Sequence, residues 1–170
     1  MNHASSSSGG ASPLALSQWL ASPLGRYVLA REQAFYDKAV ADCFGYRAVQ
    51  LGWTGVPLMR CNRIPWQCLV GQTGLAGVQA LPYQLPFATR SLDLLLMPHT
   101  LDFSAHPRET LREAERVLAP EGRLVLTGFN PVSLFGLRRV WSRQQAPWNA
   151  HFLSLRRLKD WLELLDFDVK

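Results

Sequence analysis

His99 ends a seven-residue, mostly apolar run, Leu92–Pro98, in which Asp93 is the only charged residue. A histidine just past a buried strand can serve as a general base, or as a polar lid over a bound ligand. Gly52-Trp53-Thr54-Gly55 follows a second apolar run, and glycines there let backbone approach a ligand closely. Phe129 and Asn130 follow a third run at the same relative place. Between Glu121 and Asp160 there is no acidic residue but seven basic ones, among them Arg138 and Arg139, with Trp141 and Trp148 interleaved. That composition suits an anionic partner such as a phosphate, a carboxylate or RNA; a solvated amphipathic helix is the plainer alternative. The three cysteines, Cys43, Cys61 and Cys68, have neither disulfide-framework nor zinc-ligand spacing, so they read as buried free thiols, and no metal is expected.

These groups need a sheet to bring them together. The run 92–98 is short and apolar on both faces, as in a strand buried within a parallel sheet. Residues 107–118 carry Leu111, Ala114, Val117 and Leu118 at helical spacing, with Pro107 in a first turn that tolerates it. Pro120-Glu121-Gly122 stops that helix and 123–127 reads as a strand, so the three together form a right-handed βαβ unit. Asp93, near the start of its strand, is expected to bind Arg123 or a backbone N–H; Glu113 and Arg116, three apart, read as an ordinary surface pair.

Upstream, Ser17 or Ser22 can cap a helix with Pro23 in its first turn, ending near Asp42. Strands are expected at 46–51, 66–70 and 76–80. Pro57 and Pro65 leave no space for a full helix between the first two. Downstream, Ser154 caps a helix over 155–165, and 166–170 begins a sixth strand.

Several elements in order resemble the class I S-adenosylmethionine-dependent methyltransferases, in particular their type 11 branch. They are Ala80 with Leu85-Pro86-Phe87 (or Leu81-Pro82-Tyr83), Ser91-Leu92-Asp93, His99-Thr100-Leu101, Arg116-Val117-Leu118 and Pro120-Glu121-Gly122-Arg123-Leu124. The stretches 130–139 and 154–167 also look like a branch of uncharacterised bacterial proteins of this kind. The resemblance implies a Rossmann-like α/β fold, a mostly parallel, doubly wound sheet of about five or six strands. It implies S-adenosylmethionine as methyl donor, held by Gln50, Gly52, Gly55, Gln72, the Ala80-Leu81-Pro82 turn and His99. Phe129, Asn130, Arg138 and Arg139 would face the acceptor.

The cofactor loop is degenerate. Gln50 stands where the family has a carboxylate, Gln72 and Thr73 stand where another grips the ribose, and no acid occurs between Asp42 and Asp93. Hydrogen bonds to charged groups contribute about 1.5–3 kcal/mol each, so two lost carboxylates would weaken the cofactor considerably. The resemblance also implies a C-terminal hairpin that this sequence does not include; truncation of a longer gene product is one explanation, and pairing of the exposed sheet edge with another chain is the other.

The chain has 170 residues, 48% of them hydrophobic, and a net charge of +5. That is enough for one domain over 14–170, with an insertion at 129–153, after a Ser/Gly/Ala-rich disordered tail at 1–13. The start lacks a signal peptide's basic and apolar regions, and no run approaches the ~20 apolar residues of a membrane span, so a cytoplasmic location is expected. Two functions are compatible with this reading. One is methyl transfer to a small or anionic acceptor. The other is a non-catalytic relative that binds a partner or RNA through its Arg/Trp-rich insertion.

Overall fold

The strand Leu92–Pro98 is the middle of the molecule, and six of its seven residues are buried. The computed structural model describes residues 20–72, 76–129 and 153–169. In chain order its elements are α1 (Pro23–Ala41), β1 (Arg47–Leu51), β2 (Trp66–Gly71), β3 (Val78–Gln79), β4 (Leu92–Pro98), α2 (Thr100–Phe103), α3 (Pro107–Val117), β5 (Leu118–Thr127) and α4 (Leu155–Glu163). The five strands form one sheet in the order β3-β2-β1-β4-β5. Every pairing is parallel, with Val49 opposite both Cys68 and Leu95. The fold is the expected doubly wound α/β arrangement.

Both sheet faces are covered. On one, Val49, Leu51, Leu95 and Met97 pack with Leu111, Ala114 and Val117 of α3 and Leu162 of α4. On the other, Ala48, Leu94 and Leu96 pack with Tyr36 and Val40 of α1. Leu92 belongs to the first face although strand alternation from Leu94 would put it on the second. The register against β5 also shifts between Leu92 and Leu94, with the surplus residues on the β5 side, between Leu118 and Arg123. Asp93, within the irregularity, accepts from the backbone N–H of Tyr46 (2.7 Å) and Arg47 (2.9 Å) and so ties β1 to β4. Of the two partners expected for it, the backbone is the one observed.

Helix α1 begins as expected. Ser22 caps it, its hydroxyl accepting from Gly25 N–H at 3.0 Å, and Pro23 occupies the first turn. No helix forms between β1 and β2. Turns there deliver Leu58, Met59 and Ile64 to the core, and Asn62 Nδ2 donates to the carbonyls of Val40 (2.7 Å) and Cys43 (3.0 Å).

Four expectations need correction. β5 starts at Leu118, directly after α3, because Leu118 pairs with Leu92 across the irregularity; Pro120-Glu121-Gly122 lies inside the strand. β3 is two residues long. Residues 164–169 form a turn and irregular chain, with Asp166 at φ 60°, so the described residues contain no sixth strand. Cys61 is exposed, whereas Cys43 is buried and Cys68 half-buried; all three are free thiols. The tail at 1–13 and nearly all of the insertion at 129–153 lie outside the described residues.

Glu113 and Arg116 are more than a surface pair. Arg116 bridges both Glu113 oxygens (2.7 and 2.8 Å) and donates to the carbonyls of Phe87 and Leu85 (3.0 and 3.2 Å). Glu113 in turn accepts from Leu85 N–H at 2.7 Å. The pair therefore holds the 85–90 loop onto α3. Arg116→Ala is expected to cost about 2–3 kcal/mol, since charged hydrogen bonds to backbone are lost together. At about 2–4 °C per kcal/mol for a chain this size, thermal unfolding should drop by about 4–12 °C. A midpoint unchanged within a degree would show the network to be idle.

Candidate functional site

A cleft opens at the carboxyl ends of β1, β2 and β4. Strand order reverses between β1 and β4, which is where open parallel sheets leave a crevice. Leu51, Gly52 and Trp53 form one side, Gly71, Gln72, Ala80 and Pro82 another, and Pro98, His99, Thr100 and Phe103 a third.

Gly52 makes the turn off β1. Its φ is +98°, which residues with a side chain rarely adopt. A Cβ there would also stand 2.5 Å from Thr100 Oγ1. Thr100 cannot readily move, because its hydroxyl donates to the Leu51 carbonyl at 2.6 Å. The Gly52 N–H is bonded to the Val70 carbonyl at 2.8 Å, closing the turn onto β2. The result is bare main chain along the cleft.

Gln50 is buried but does not line the cleft. Its Nε2 donates to the carbonyls of Trp53 (2.8 Å) and Val56 (2.9 Å), and its Oε1 accepts from Leu58 N–H at 2.8 Å. A carboxylate could not make the first two bonds, because it has no donor. The glutamine therefore shapes the 53–58 loop from within. Gly55 likewise stands off the cleft; a Cβ there would lie 2.8 Å from Trp53 Nε1, so its lack of a side chain admits the indole. Leu81 is partly exposed and bridges to Gln84, leaving Ala80 and Pro82 to line the wall.

His99 is 1% exposed and adopts φ 52° at the start of α2. Its Nε2 lies 2.8 Å from Glu32 Oε1 of α1, and its Nδ1 lies 3.1 Å from Asp102 Oδ2. Burial alone would lower its pKa, but the two carboxylates outweigh burial and push it up to about 9. At neutral pH it is an imidazolium with both nitrogens donating. It has no lone pair with which to take a proton, and the general-base expectation finds no support in this geometry. Phe129 stacks on the ring at 4.2 Å, and its N–H donates to Asp102 Oδ2 at 3.0 Å. Burial also raises the pKa of Tyr36, one turn beyond Glu32 on α1, whose hydroxyl meets Thr127 Oγ1 at 3.1 Å.

Of the residues expected at the site, Gly52, Gln72, Ala80, Pro82 and His99 meet in one cleft, and Phe129 stands behind His99. Asn130, Arg138 and Arg139 lie outside the described residues. Glu32, Asp102, Thr100, Trp53 and Phe103 were not expected. Asp102 had a signal, its position three residues after His99; Glu32, 67 residues away, had none. No group of residues suited to hold a metal ion occurs among those described.

The fold resembles that of solved structures described as S-adenosylmethionine-dependent methyltransferases. Residues 65–126, from the start of β2 into β5, match the family described as a methyltransferase domain. Over 94 residues the chain is 48% identical to the uncharacterised protein YafS of Escherichia coli, covering 54% of this chain and 39% of that protein. The chain spans less than half the length of the curated relatives it matches. Among solved structures it resembles a methyltransferase from Thermotoga maritima, described as a possible histamine N-methyltransferase. There the TM-score is 0.64 at 23% identity, over 92% of this chain and 81% of that one. It also resembles the plantazolicin methyltransferase BpumL in complex with S-adenosylhomocysteine, with a TM-score of 0.59 at 15% identity over 90% and 74% of the two chains.

Proposed function

We propose that this chain binds S-adenosylmethionine in the cleft at the ends of β1, β2 and β4 and transfers its methyl group to a small-molecule or anionic acceptor. The observation that carries the reading is the Gly52 turn. It is a side-chain-free floor at the strand-order reversal, in a backbone conformation open to glycine, in a chain whose residues 65–126 match a methyltransferase domain. The residues present fit the group. Bare main chain at Gly52 and Gly71 admits close approach, and Gln72, Ala80 and Pro82 offer a neutral wall with one amide for hydroxyl groups.

When bound, the cofactor supplies a methyl group already activated by its sulfonium. The chain's own part is alignment and exclusion of water. Trp53 and Phe103 border the cleft with apolar surface, and Phe129 closes the space behind His99. His99 takes no proton in this scheme; it fastens α1 and α2 together at the cleft edge through Glu32 and Asp102.

Calorimetric titration with S-adenosylmethionine and S-adenosylhomocysteine tests this directly. Micromolar dissociation constants are expected for both. Absence of heat up to millimolar ligand would overturn the proposal. The second reading, a methyltransferase-fold protein that binds a partner without catalysis, would then hold. The observation that favours it is the lack of any carboxylate between Asp42 and Asp93, together with the use of Gln50 inside the loop.

A further inference from the structure

Helix α1 is apolar on both sides. Inward, Tyr36 and Val40 enter the core. Outward, Leu24 (39% exposed), Tyr27 (59%) and Phe35 (51%) face solvent. A surface helix ordinarily puts mixed charged and polar residues there. Ten residues of α1 are exposed, and none of them is acidic or a Ser, Thr, Asn or Gln. Besides those three they are Arg26, Arg31 and Lys38, with one proline and three alanines. Leu24, Tyr27, Arg31, Phe35 and Lys38 follow one another at steps of three or four, so they share one face.

The two acids of the helix are both engaged. Glu32 bonds His99 at 2.8 Å, and Asp37 is bridged by Arg60. Arg26, Arg31 and Lys38 pair with no carboxylate among the described residues. Arg31 instead lies over the Tyr27 ring, 5.4 Å from its centre, and its Nε donates to the Tyr27 hydroxyl at 3.3 Å. Cations and apolar groups thus form one surface rather than separate patches.

What covers such a face must bring negative charge and also accept apolar side chains. The rest of the chain has no charge to bring, because all 13 acidic residues lie among the described ones. A second copy docked face to face would oppose the same three cations. Nucleic acid would supply the charge, but it is bound largely through hydrogen bonds to phosphate, sugar and base edges. Beyond its three cations this face has only the Tyr27 hydroxyl to make them. A bilayer with anionic headgroups meets both demands. Basic side chains reach the headgroups while Leu, Tyr and Phe enter the boundary of the acyl chains. Among the described residues no helix is long and apolar enough to cross a membrane, so α1 would lie on the surface.

We propose that the outward face of α1 docks this protein on an anionic lipid surface. The inference goes beyond methyl transfer and does not depend on it. Because α1 is the helix fastened to His99 at the cleft edge, docking also brings the cleft near the headgroups.

The test is vesicle sedimentation with the full chain, using phosphatidylcholine vesicles with and without phosphatidylglycerol. Wild type should bind the anionic vesicles, release them at high salt and leave the neutral ones nearly unbound. Two variants separate the parts of the face. The triple change Arg26→Gln, Arg31→Gln, Lys38→Gln should weaken binding roughly a hundredfold. The double change Leu24→Ser, Phe35→Ser should weaken it about tenfold. The triple variant alters only exposed side chains and should melt within a few degrees of wild type; it alone decides if the double variant does not fold. The proposal is overturned if wild type leaves anionic vesicles unbound. It is overturned equally if either folded variant binds them as wild type does, which would put the contact elsewhere on this basic chain. Binding of single-stranded RNA that the triple variant loses, without vesicle binding, would assign the face to nucleic acid and sink the proposal. So would a lipid-free dimer of wild type, seen by sedimentation velocity and absent from the variants, with no vesicle binding.

Discussion

Gly52→Ala should destabilise the protein by about 3 kcal/mol and remove measurable binding of S-adenosylmethionine. Two costs combine. A side chain at φ +98° carries about 1–3 kcal/mol of backbone strain. The new Cβ would also stand 2.5 Å from Thr100 Oγ1, and the hydroxyl can withdraw only by giving up its bond to the Leu51 carbonyl. That bond contributes about 0.5–1.5 kcal/mol, and losing it leaves a buried carbonyl unpaired. The turn would relax by swinging the Gly52 peptide, which breaks its link to Val70 and tilts main chain into the cleft. Binding should therefore fall by more than stability alone explains. Thermal unfolding and calorimetry on the same sample separate the two effects. A variant that melts within a degree of wild type and binds equally would remove the Gly52 turn from the argument.

Periodicity made the framework legible. The run 92–98 could only be a strand buried on both sides, and Pro107 with Leu111, Ala114 and Val117 could only be an amphipathic helix laid on it. Glycine placement made Gly52 legible, because a turn off a buried strand needs a permissive backbone. The rest depended on contacts that local pattern does not encode. Gln50 read as a weakened cofactor ligand, yet an amide that both donates and accepts can organise a loop where a carboxylate cannot. Arg116 and Glu113 read as surface neighbours because the carbonyls they bind, at 85 and 87, come from a distant loop. Glu32 was invisible for the same reason. Nothing in an exposed-looking helical acid says that a histidine 67 residues later will meet it. The β5 start misled because Pro120 and Gly122 signal a break, while the edge position and the register shift at Leu92 absorb both.

His99→Asn should be the most destabilising single change at the site, at about 3–5 kcal/mol near neutral pH. Asparagine tolerates the left-handed backbone at φ 52°, so strain is not the cause. The cause is charge: without the imidazolium, Glu32 and Asp102 are two carboxylates buried with no cation between them. Removing one partner of a buried ionic group costs this much because the remaining charge is stranded. The wild-type protein should carry the matching pH signature. The folded pKa of His99, about 9, lies above the ordinary value of 6.5. Its contribution is therefore fully present below pH 6.5 and is lost as pH rises through 9, and the total is about 3 kcal/mol at 1.36 kcal/mol per unit. Urea unfolding between pH 6 and pH 10 should show stability falling across that window in wild type. In His99→Asn that part of the slope should disappear. A wild-type profile flat from pH 6 to pH 9 would mean that His99 is not charged in the folded protein. The cluster would then lack the imidazolium that fastens α1 to the cleft, and the two carboxylates would have no reason to sit together.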